Sequence, residues 1–317
     1  MATFEEIKEA REKLAGIVNK TNLIYSSEFT RVSGTEVYFK AENMQRAGSF
    51  KIRGAYNKIS SLKDEEKKNG IIAVSAGNHA QGVALAASIF GIKSTIVMPE
   101  TVPRNKITAT KSYGAEVIIH GHSIEEAKRF AFERKAKEQT FVHPYDDSMI
   151  IAGQGTIGIE MIEELPELET IIVPVGGGGL ISGIAIAAKT LKPSIKVIGV
   201  EIEGYESVRI SINNGKIVQV PGKPTIADGV AINTCGELPY EIIKRYVDDI
   251  VVVLEKETQE SLMLLLMKNK LLVEGAGGVG LAALLSGRIK VKSREKIGIV
   301  LSGGNIELEN IMQHAQK

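Results

Sequence analysis

Several features are scarce in this sequence of 317 residues, and each absence narrows the class of protein. There is one cysteine, Cys235, so an intramolecular disulfide is excluded. The 39 basic and 38 acidic residues nearly cancel to a net charge of +1, and they are interspersed. This predicts neither nucleic-acid binding nor attraction to an anionic membrane.

Long hydrophobic runs and a signal peptide are also missing. The longest apolar runs, such as 262–267, are far shorter than a membrane span. The chain opens with polar residues around Glu5 and Glu6, which is unlike a secretory leader. These features predict a cytoplasmic protein with a small-molecule partner, no nucleic acid and no membrane.

Strand patterns and helix patterns alternate along most of the sequence. With 44% hydrophobic residues, the chain is long enough for two domains. Phe4, Ile7, Ala10, Leu14 and Ile17 follow helical spacing and predict an opening helix. Short β-rich runs alternate with helical stretches, so the fold class is α/β, with two doubly wound parallel domains. The predicted strands are 71–75, 94–98, 115–120, 140–142, 170–175, 196–201, 249–254 and 296–301, and the helices between the first four are 80–90, 104–113 and 124–137.

The stretch around Lys51 is the most informative part of the chain. Lys51 lies among small and apolar neighbours, from Gly48 to Ala55. Such surroundings disfavour the charged ammonium, and a lysine with a lowered pKa can form a Schiff base with an aldehyde. Taken alone, a lysine is more often an exposed surface residue.

Three strand ends carry polar or glycine-rich segments. The strand before Gly176 runs into Gly176, Gly177, Gly178 and Gly179, whose N–H groups can wrap a phosphate, although glycine turns after strands are common. At the other two ends, Ser302 and the turn 75–79 could instead be plain helix caps. Ligands bind beyond the carboxyl ends of parallel strands, so these segments predict one cleft.

Five segments in the same order resemble the pyridoxal phosphate (PLP) enzymes of the threonine dehydratase and serine racemase family, and the resemblance covers nearly the whole chain. It implies the fold type II architecture, like that of the tryptophan synthase β subunit, with the cofactor between the domains. It also implies a small domain, 62–147, inserted into a large domain of 1–61 and 148–317. The segments are 48–55, 75–82, 152–156, 176–179 and 227–231.

The resemblance also implies a role for individual residues. Lys51 would carry the PLP aldimine and, once freed, remove the Cα proton of the substrate. Phe50 would pack on the pyridine ring, Asn78 would bond the 3-hydroxyl, and Ser302 would face the pyridine nitrogen. The glycine loop 176–179 would bind the phosphate. The substrate carboxylate would be bound by Ser75, Ala76, Gly77, Asn78 and His79, with Ser75 and His79 acting mainly through their backbone.

Two departures from the racemase pattern refine the expectation. Ala76 stands where racemases place a serine that acts as the second acid-base group, so racemisation should be slow. Glu201 matches one ligand of the racemase metal site, but Ser207 stands where a carboxylate is expected, so no divalent-metal site is predicted.

The resemblance therefore implies a PLP-dependent ammonia-lyase of amino-acid metabolism. The expected reaction is dehydration and deamination of L-threonine, and of L-serine, to 2-oxobutanoate or pyruvate and ammonia, with a place in isoleucine biosynthesis. A homodimer or homotetramer without a regulatory domain is expected. The alternatives are serine racemase, 3-hydroxyaspartate dehydratase, and a non-catalytic small-molecule binding protein.

Two other motifs are weaker. The segment 275–280 fits the dinucleotide fingerprint GxGxxG, with Glu295 as a candidate ribose ligand, but it follows a helical run, 258–270, and not a clear strand. His120 and His122 could suggest a metal, yet no third ligand is near in the sequence. Neither NAD nor a histidine metal site is predicted.

Overall fold

Two β-sheets form the centre of the computed structural model, which describes residues 1–134 and 139–307. The strands, in chain order, are β1 (Leu23–Tyr25), β2 (Glu36–Lys40), β3 (Ile71–Val74), β4 (Ser94–Met98), β5 (Glu116–Ile119), β6 (Thr140–Phe141), β7 (Thr170–Pro174), β8 (Lys196–Ile202), β9 (Asp249–Val253) and β10 (Lys296–Val300). The α-helices are α1 (Phe4–Leu14), α2 (Ser27–Ser33), α3 (Lys51–Ser60), α4 (Asp64–Asn69), α5 (Asn78–Ile89), α6 (Arg104–Ser112), α7 (Ile124–Arg134), α8 (Ser148–Glu164), α9 (Gly179–Leu191), α10 (Ser207–Asn214), α11 (Glu237–Tyr246), α12 (Glu255–Leu264) and α13 (Gly275–Leu285).

The larger sheet has the strand order β1-β2-β10-β7-β8-β9, and the smaller has β5-β4-β3-β6. All neighbours in the smaller sheet are parallel. In the larger sheet β1 is antiparallel to β2, and the other neighbours are parallel. The α/β class and the predicted strands of both sheets are confirmed, whereas β1 and β2 were not predicted.

Residue alternation explains why both faces of each sheet are covered. In β7, Ile171 and Val173 belong to a core shared with α8 and α9, whereas Ile172 belongs to a core shared with α13. Successive strand residues point to opposite faces, so a continuous apolar run places side chains in both cores. In β3, Ile71 packs with α5, whereas Ile72 packs with α7.

Three helix predictions differ from the structure in detail. The opening helix ends at Leu14 and does not reach Ile17, because Gly16 takes a positive φ of 74°. Helix α7 is described as far as Arg134, and the rest of the predicted span, 135–138, lies outside the described residues. The run 258–270 is not one helix, since α12 passes into a π-helix at Leu265–Asn269.

The smaller sheet is built from one continuous part of the chain, from β3 to β6, which lies inside the predicted small domain. The domain bounds of 61/62 and 147/148 themselves stay a prediction. Among the described residues, no helix is both long and apolar enough to cross a membrane.

Helix α3 is held between two other helices by close backbone contacts. A Cβ on Gly153 of α8 would overlap the backbone of Arg53 and Gly54, so only glycine allows this approach. The N–H of Gly54 also donates to Gln154 Oε1 at 3.1 Å. On the other side, Gly82 of α5 lies against the backbone of Lys51. The segment 152–156 is therefore explained by packing against the lysine helix.

A buried ionic cluster fixes the same helix to the larger sheet. It consists of Arg53, Glu42, Glu160 and Lys40, and the Arg53, Glu42 and Lys40 side chains have no exposed surface. Arg53 donates to Glu42 at 2.8 and 2.9 Å and to Glu160 at 2.6 and 2.9 Å. Lys40 Nζ completes the cluster at 2.6 Å from Glu160. The two positive and two negative charges cancel.

We predict that Arg53→Leu strongly destabilises the protein, because it leaves a negative charge buried without its partner. Breaking a buried pair in this way costs roughly 3–5 kcal/mol of unfolding free energy. Urea unfolding followed by circular dichroism measures it. The matched control is Arg11→Leu, which breaks a pair with Glu163 whose side chains are 46% and 50% exposed and should cost at most about 1 kcal/mol. Equal losses in the two variants would contradict the role given to the cluster.

Candidate active site

Lys51 is the first residue of α3, and its amine is directed toward the loop after β6. Its Nζ donates to the carbonyl oxygen of Pro144 at 3.0 Å and lies 5.1 Å from the centre of the Phe50 ring. Burial lowers the pKa of Lys51 to about 8, and the nearby Glu274 carboxyl opposes this shift. About a tenth of this amine is therefore neutral and nucleophilic at pH 7, far more than for an ordinary lysine.

The glycine loop lies between β7 and α9. Gly177, Gly178 and Gly179 are buried, and Gly178 takes a φ of +92°, which favours glycine. Within the described part of the chain, no acceptor pairs with the N–H groups of these three glycines. Buried unpaired donors at a helix N-terminus suit a bound anion, because the helix dipole adds to their positive charge. The loop therefore fits a phosphate.

The turn after β3 presents its backbone toward the same region. Ser75 Oγ accepts the N–H of Gly77 at 3.2 Å, and α5 begins at Asn78. His79 is buried, and its Nε2 lies 2.9 Å from the carbonyl of Val142, on the side of the small sheet. Burial lowers the pKa of His79 to about 3, so its ring is neutral. The expectation that His79 acts through its backbone stays a prediction.

The Asn78 side chain is fixed by two residues that the sequence analysis missed. Asn78 Nδ2 donates to Glu274 Oε1 at 2.5 Å, and Asn305 Nδ2 donates to Asn78 Oδ1 at 2.8 Å. An acceptor on one side and a donor on the other fix the orientation of the amide. Burial raises the pKa of Glu274 to about 8. Asn305 stands close to Ser302 in the sequence, which was an available signal, whereas Glu274 was hidden beside the GxGxxG segment.

Ser302 brings the end of β10 next to the lysine segment. Its carbonyl accepts the N–H of Phe50 at 3.1 Å, and a β-bridge pairs Ser49 with Gly303. Ser302 is 3% exposed, and its hydroxyl bonds to no other residue in the ranges that the structure describes. A Cβ on Gly303 would lie 3.1 Å from Asn78 Nδ2, so the two strand ends meet.

The structure thus brings Phe50, next to Lys51, into direct contact with Ser302, and Asn78 approaches the same strand end at Gly303 and Asn305. The glycine loop joins them through the segment 143–147, which contacts Lys51 at Pro144 and Gly177 at Tyr145. An amine of lowered pKa, unpaired N–H donors and a neutral hydroxyl fit the aldehyde, phosphate and pyridine nitrogen of pyridoxal phosphate. The individual roles of these residues stay predictions.

The weaker motifs take other places in the fold. Residues 275–280 form the start of α13, and no strand occurs in the described stretch 265–274 before it. His120 stacks on Phe130 with ring centres 4.0 Å apart. Glu201 accepts the backbone N–H groups of Val208 and Arg209 at 2.8 and 3.0 Å. In the described ranges, no group of three or more His, Cys, Asp and Glu side chains is placed to hold a metal ion.

The fold and the site define a class of enzyme. The model of the family described as "Pyridoxal-phosphate dependent enzyme" matches residues 14–303 of the chain. The protein belongs to this family, and its cofactor is pyridoxal phosphate.

Relatives within the family narrow the comparison further. The chain is 51% identical over 312 residues to the L-threonine ammonia-lyase of Thermotoga maritima, covering 98% of this chain and 77% of that protein. It is 46% identical over 313 residues to the catabolic L-threonine dehydratase TdcB of Escherichia coli, covering 98% of this chain and 95% of the relative.

Solved structures give the same picture of the fold. Maize serine racemase superposes with a TM-score of 0.94 at 38% identity, covering 99% of this chain and 97% of that one. The processed form of threonine deaminase isoform 2 from Solanum lycopersicum superposes with a TM-score of 0.92 at 34% identity, covering 98% and 93%. Both enzymes share the two-sheet architecture.

We predict that Lys51 in the cofactor-free protein is acylated with a midpoint near pH 8, where an ordinary lysine has a pKa of about 10.4. Peptide mass spectrometry after brief acylation over a pH series measures the modified fraction. In Glu274→Gln the midpoint should fall further, because the negative charge that favours the ammonium is removed. A midpoint near 10 in the unmodified protein would show that the amine is not desolvated.

Proposed function

We propose that the protein is a threonine ammonia-lyase that converts L-threonine to 2-oxobutanoate and ammonia, and L-serine to pyruvate and ammonia. The observation that carries the proposal is the 46–51% identity, over 98% of this chain, to L-threonine ammonia-lyases and dehydratases. The site supports it, because a desolvated lysine stands beside a phosphate-binding loop.

The chain's own residues account for binding and proton transfer. The N–H groups of Gly177, Gly178 and Gly179 would hold the phosphate of the cofactor, and the Ser302 hydroxyl would face its pyridine nitrogen. Asn78, oriented by Glu274 and Asn305, would bond the 3-hydroxyl. When bound, the cofactor supplies an aldehyde for the substrate amine and a ring that withdraws electrons from Cα.

Lys51 is the proposed base at the substrate Cα. Its neutral Nζ takes the Cα proton, and the lowered pKa keeps a substantial part of the amine neutral near pH 8. Pro144 O accepts a hydrogen bond from the Lys51 amine, which holds it on one side of the site. The carboxylate of the substrate is received by the backbone of the turn from Ser75 to His79. The β-hydroxyl leaves with a proton as water, and the released enamine is then hydrolysed to the 2-oxo acid and ammonia.

A neutral partner at Ser302 favours elimination. The Ser302 hydroxyl would not enforce protonation of the pyridine nitrogen, as an aspartate would, and so would stabilise the negative charge that develops at Cα less strongly. Expulsion of the β-hydroxyl is favoured over transamination.

Serine racemase is the second candidate, favoured by the close superposition on the maize enzyme. Racemisation needs a proton donor on the face of Cα opposite Lys51. Ala76 occupies the turn position where the racemase pattern has a serine, and its methyl group carries no proton to donate. Elimination is therefore the favoured outcome, and 3-hydroxyaspartate remains a substrate to be tested beside threonine and serine.

The biological setting stays a prediction. The expected place in isoleucine biosynthesis follows from the product 2-oxobutanoate, whereas the relatives named catabolic dehydratases make a degradative role the alternative. The homodimer or homotetramer and the cytoplasmic location are proposed from the family resemblance.

The first test supplies L-threonine, L-serine and 3-hydroxyaspartate separately to the PLP-loaded protein and follows 2-oxo acid and ammonia. We expect fast release from threonine and slower release from serine. In Lys51→Ala the visible band of the lysine-bound cofactor should disappear and turnover should fall by about 10³-fold or more, the upper range for loss of a general base. Unchanged turnover in this variant would overturn the assignment of Lys51.

Ala76→Ser tests the boundary with the racemases. Restoring a hydroxyl in the turn should raise D-serine formation from L-serine to a detectable rate, because a donor then exists on the second face. Chiral chromatography resolves D-serine from L-serine, and Ala76→Val is the control, because its side chain carries no proton donor. Substantial D-serine formation by the unmodified protein would favour the racemase alternative.

A further inference from the structure

Tyr145 lies outside the predicted site and packs closely against the glycine loop. A Cβ on Gly177 would overlap three atoms of the Tyr145 ring, so the ring lies face-on against this glycine. A Cβ on Gly179 would lie 2.9 Å from the Tyr145 backbone. The other two glycines face different elements, since Gly178 meets Pro239 and Gly176 meets Ile232. Tyr145 therefore explains why two of the four positions have no side chain.

The Tyr145 ring is itself held in place from several sides. Its hydroxyl donates to the carbonyl of Thr234 at 3.3 Å. Its backbone N–H donates to His143 Nδ1 at 3.3 Å, and so does that of Asp146 at 2.7 Å. Burial lowers the pKa of His143 to about 4, so the ring is neutral and its Nδ1 is free to accept these bonds.

A carboxylate of the same segment, that of Asp146, bonds to the start of helix α11. Asp146 accepts the N–H groups of Glu237 and Leu238 at 3.0 and 2.9 Å, in the first turn of α11. Just before that turn, Gly236 N donates to Gly177 O at 3.2 Å. The segment 143–147, the segment 234–238 and the glycine loop thus form one connected unit.

This unit contacts the amine of Lys51 at Pro144. Pro144 O accepts the bond from Lys51 Nζ, and the next residue places its ring on Gly177. Two adjacent residues therefore touch the two ends of the cofactor site. Their separation along the chain is fixed by one peptide unit, so their contacts also limit the distance between the amine and the phosphate loop.

We propose that Tyr145 is a positioning residue for the phosphate end of pyridoxal phosphate, acting as a rigid wall that holds the glycine loop in its anion-binding shape. Its ring supplies most of this effect, because an aromatic ring has few rotamers and is here packed on backbone. Its hydroxyl is an anchor to the segment 234–238. The inference rests on the phosphate role proposed for residues 176–179 and adds the residue that shapes them.

The test compares Tyr145→Phe, which keeps the ring, with Tyr145→Ala, which removes it. Cofactor-free protein is titrated with PLP, and the bound phosphate is observed by ³¹P NMR. Tyr145→Phe should bind within about threefold of the unmodified affinity and keep the ³¹P shift. Tyr145→Ala should bind at least tenfold more weakly, about 1.4 kcal/mol, with a shifted or broadened resonance. Tyr25→Ala, the same change at a 50% exposed tyrosine, is the control.

A second set of variants approaches the contact from the loop. Gly177→Ala should also weaken PLP binding, because its methyl group overlaps the Tyr145 ring. In the double variant Gly177→Ala/Tyr145→Ala the methyl group enters the space that the ring left. The loss in the double variant should therefore be smaller than the two single losses combined. Additive losses would contradict direct contact between the ring and the loop.

The outcomes separate the two proposals. If the unmodified protein gives no bound ³¹P resonance, the phosphate role of the glycine loop is wrong. If it does, and Tyr145→Ala shows the same affinity and shift, only the role of Tyr145 is overturned. Urea unfolding of the cofactor-free variants shows whether Tyr145→Ala folds. Should it fail to fold, Tyr145→Leu replaces it, since leucine fills the space without a planar ring and should give the same ³¹P change.

Discussion

The buried contacts of Arg53 are the interaction on which the position of the reactive lysine depends. Arg53 lies two residues after Lys51 on α3, and its guanidinium is surrounded by Glu42, Glu160 and Thr156. A guanidinium has five donors in a fixed plane, so these acceptors determine where the helix lies and how it is rotated. Because Lys51 lies on the same helix, the position of its amine depends on these contacts. A charged cluster outside the cofactor site therefore defines the geometry inside it.

The site itself uses little formal charge. Its candidate anion-binding groups are backbone N–H donors, the predicted pyridine partner is a hydroxyl, and burial raises the pKa of the Glu274 carboxyl to about 8. The charged side chains near α3 lie in the Arg53 cluster, outside the predicted site, and there the positive and negative groups neutralise each other. Neutral surroundings favour the free amine of Lys51, because they give its ammonium form little compensation for lost hydration.

The sequence predicted the parts of the fold that depend on local pattern. β7 and β10 were found because their apolar runs are buried on both faces. β2 was missed because it ends in the charged residue Lys40. The burial of this lysine depends on its ion pair with Glu160. The segments at the strand ends were predicted by family resemblance, whereas Tyr145, Glu274 and Asn305 depend on contacts between residues far apart in the chain. The nearness of Asn305 to Ser302 was the one local signal for these contacts.

The pairing of β2 has a consequence for how the protein is made. β2 lies between β1 and β10, with Glu36 opposite Lys296, so its parallel partner is synthesised some two hundred and sixty residues later. The smaller sheet, by contrast, takes all its strands from β3 to β6 and can close while the ribosome is still translating. Until β10 emerges, one edge of β2 is exposed to solvent and to other nascent chains. Chaperone capture during synthesis should therefore concentrate on the N-terminal strands.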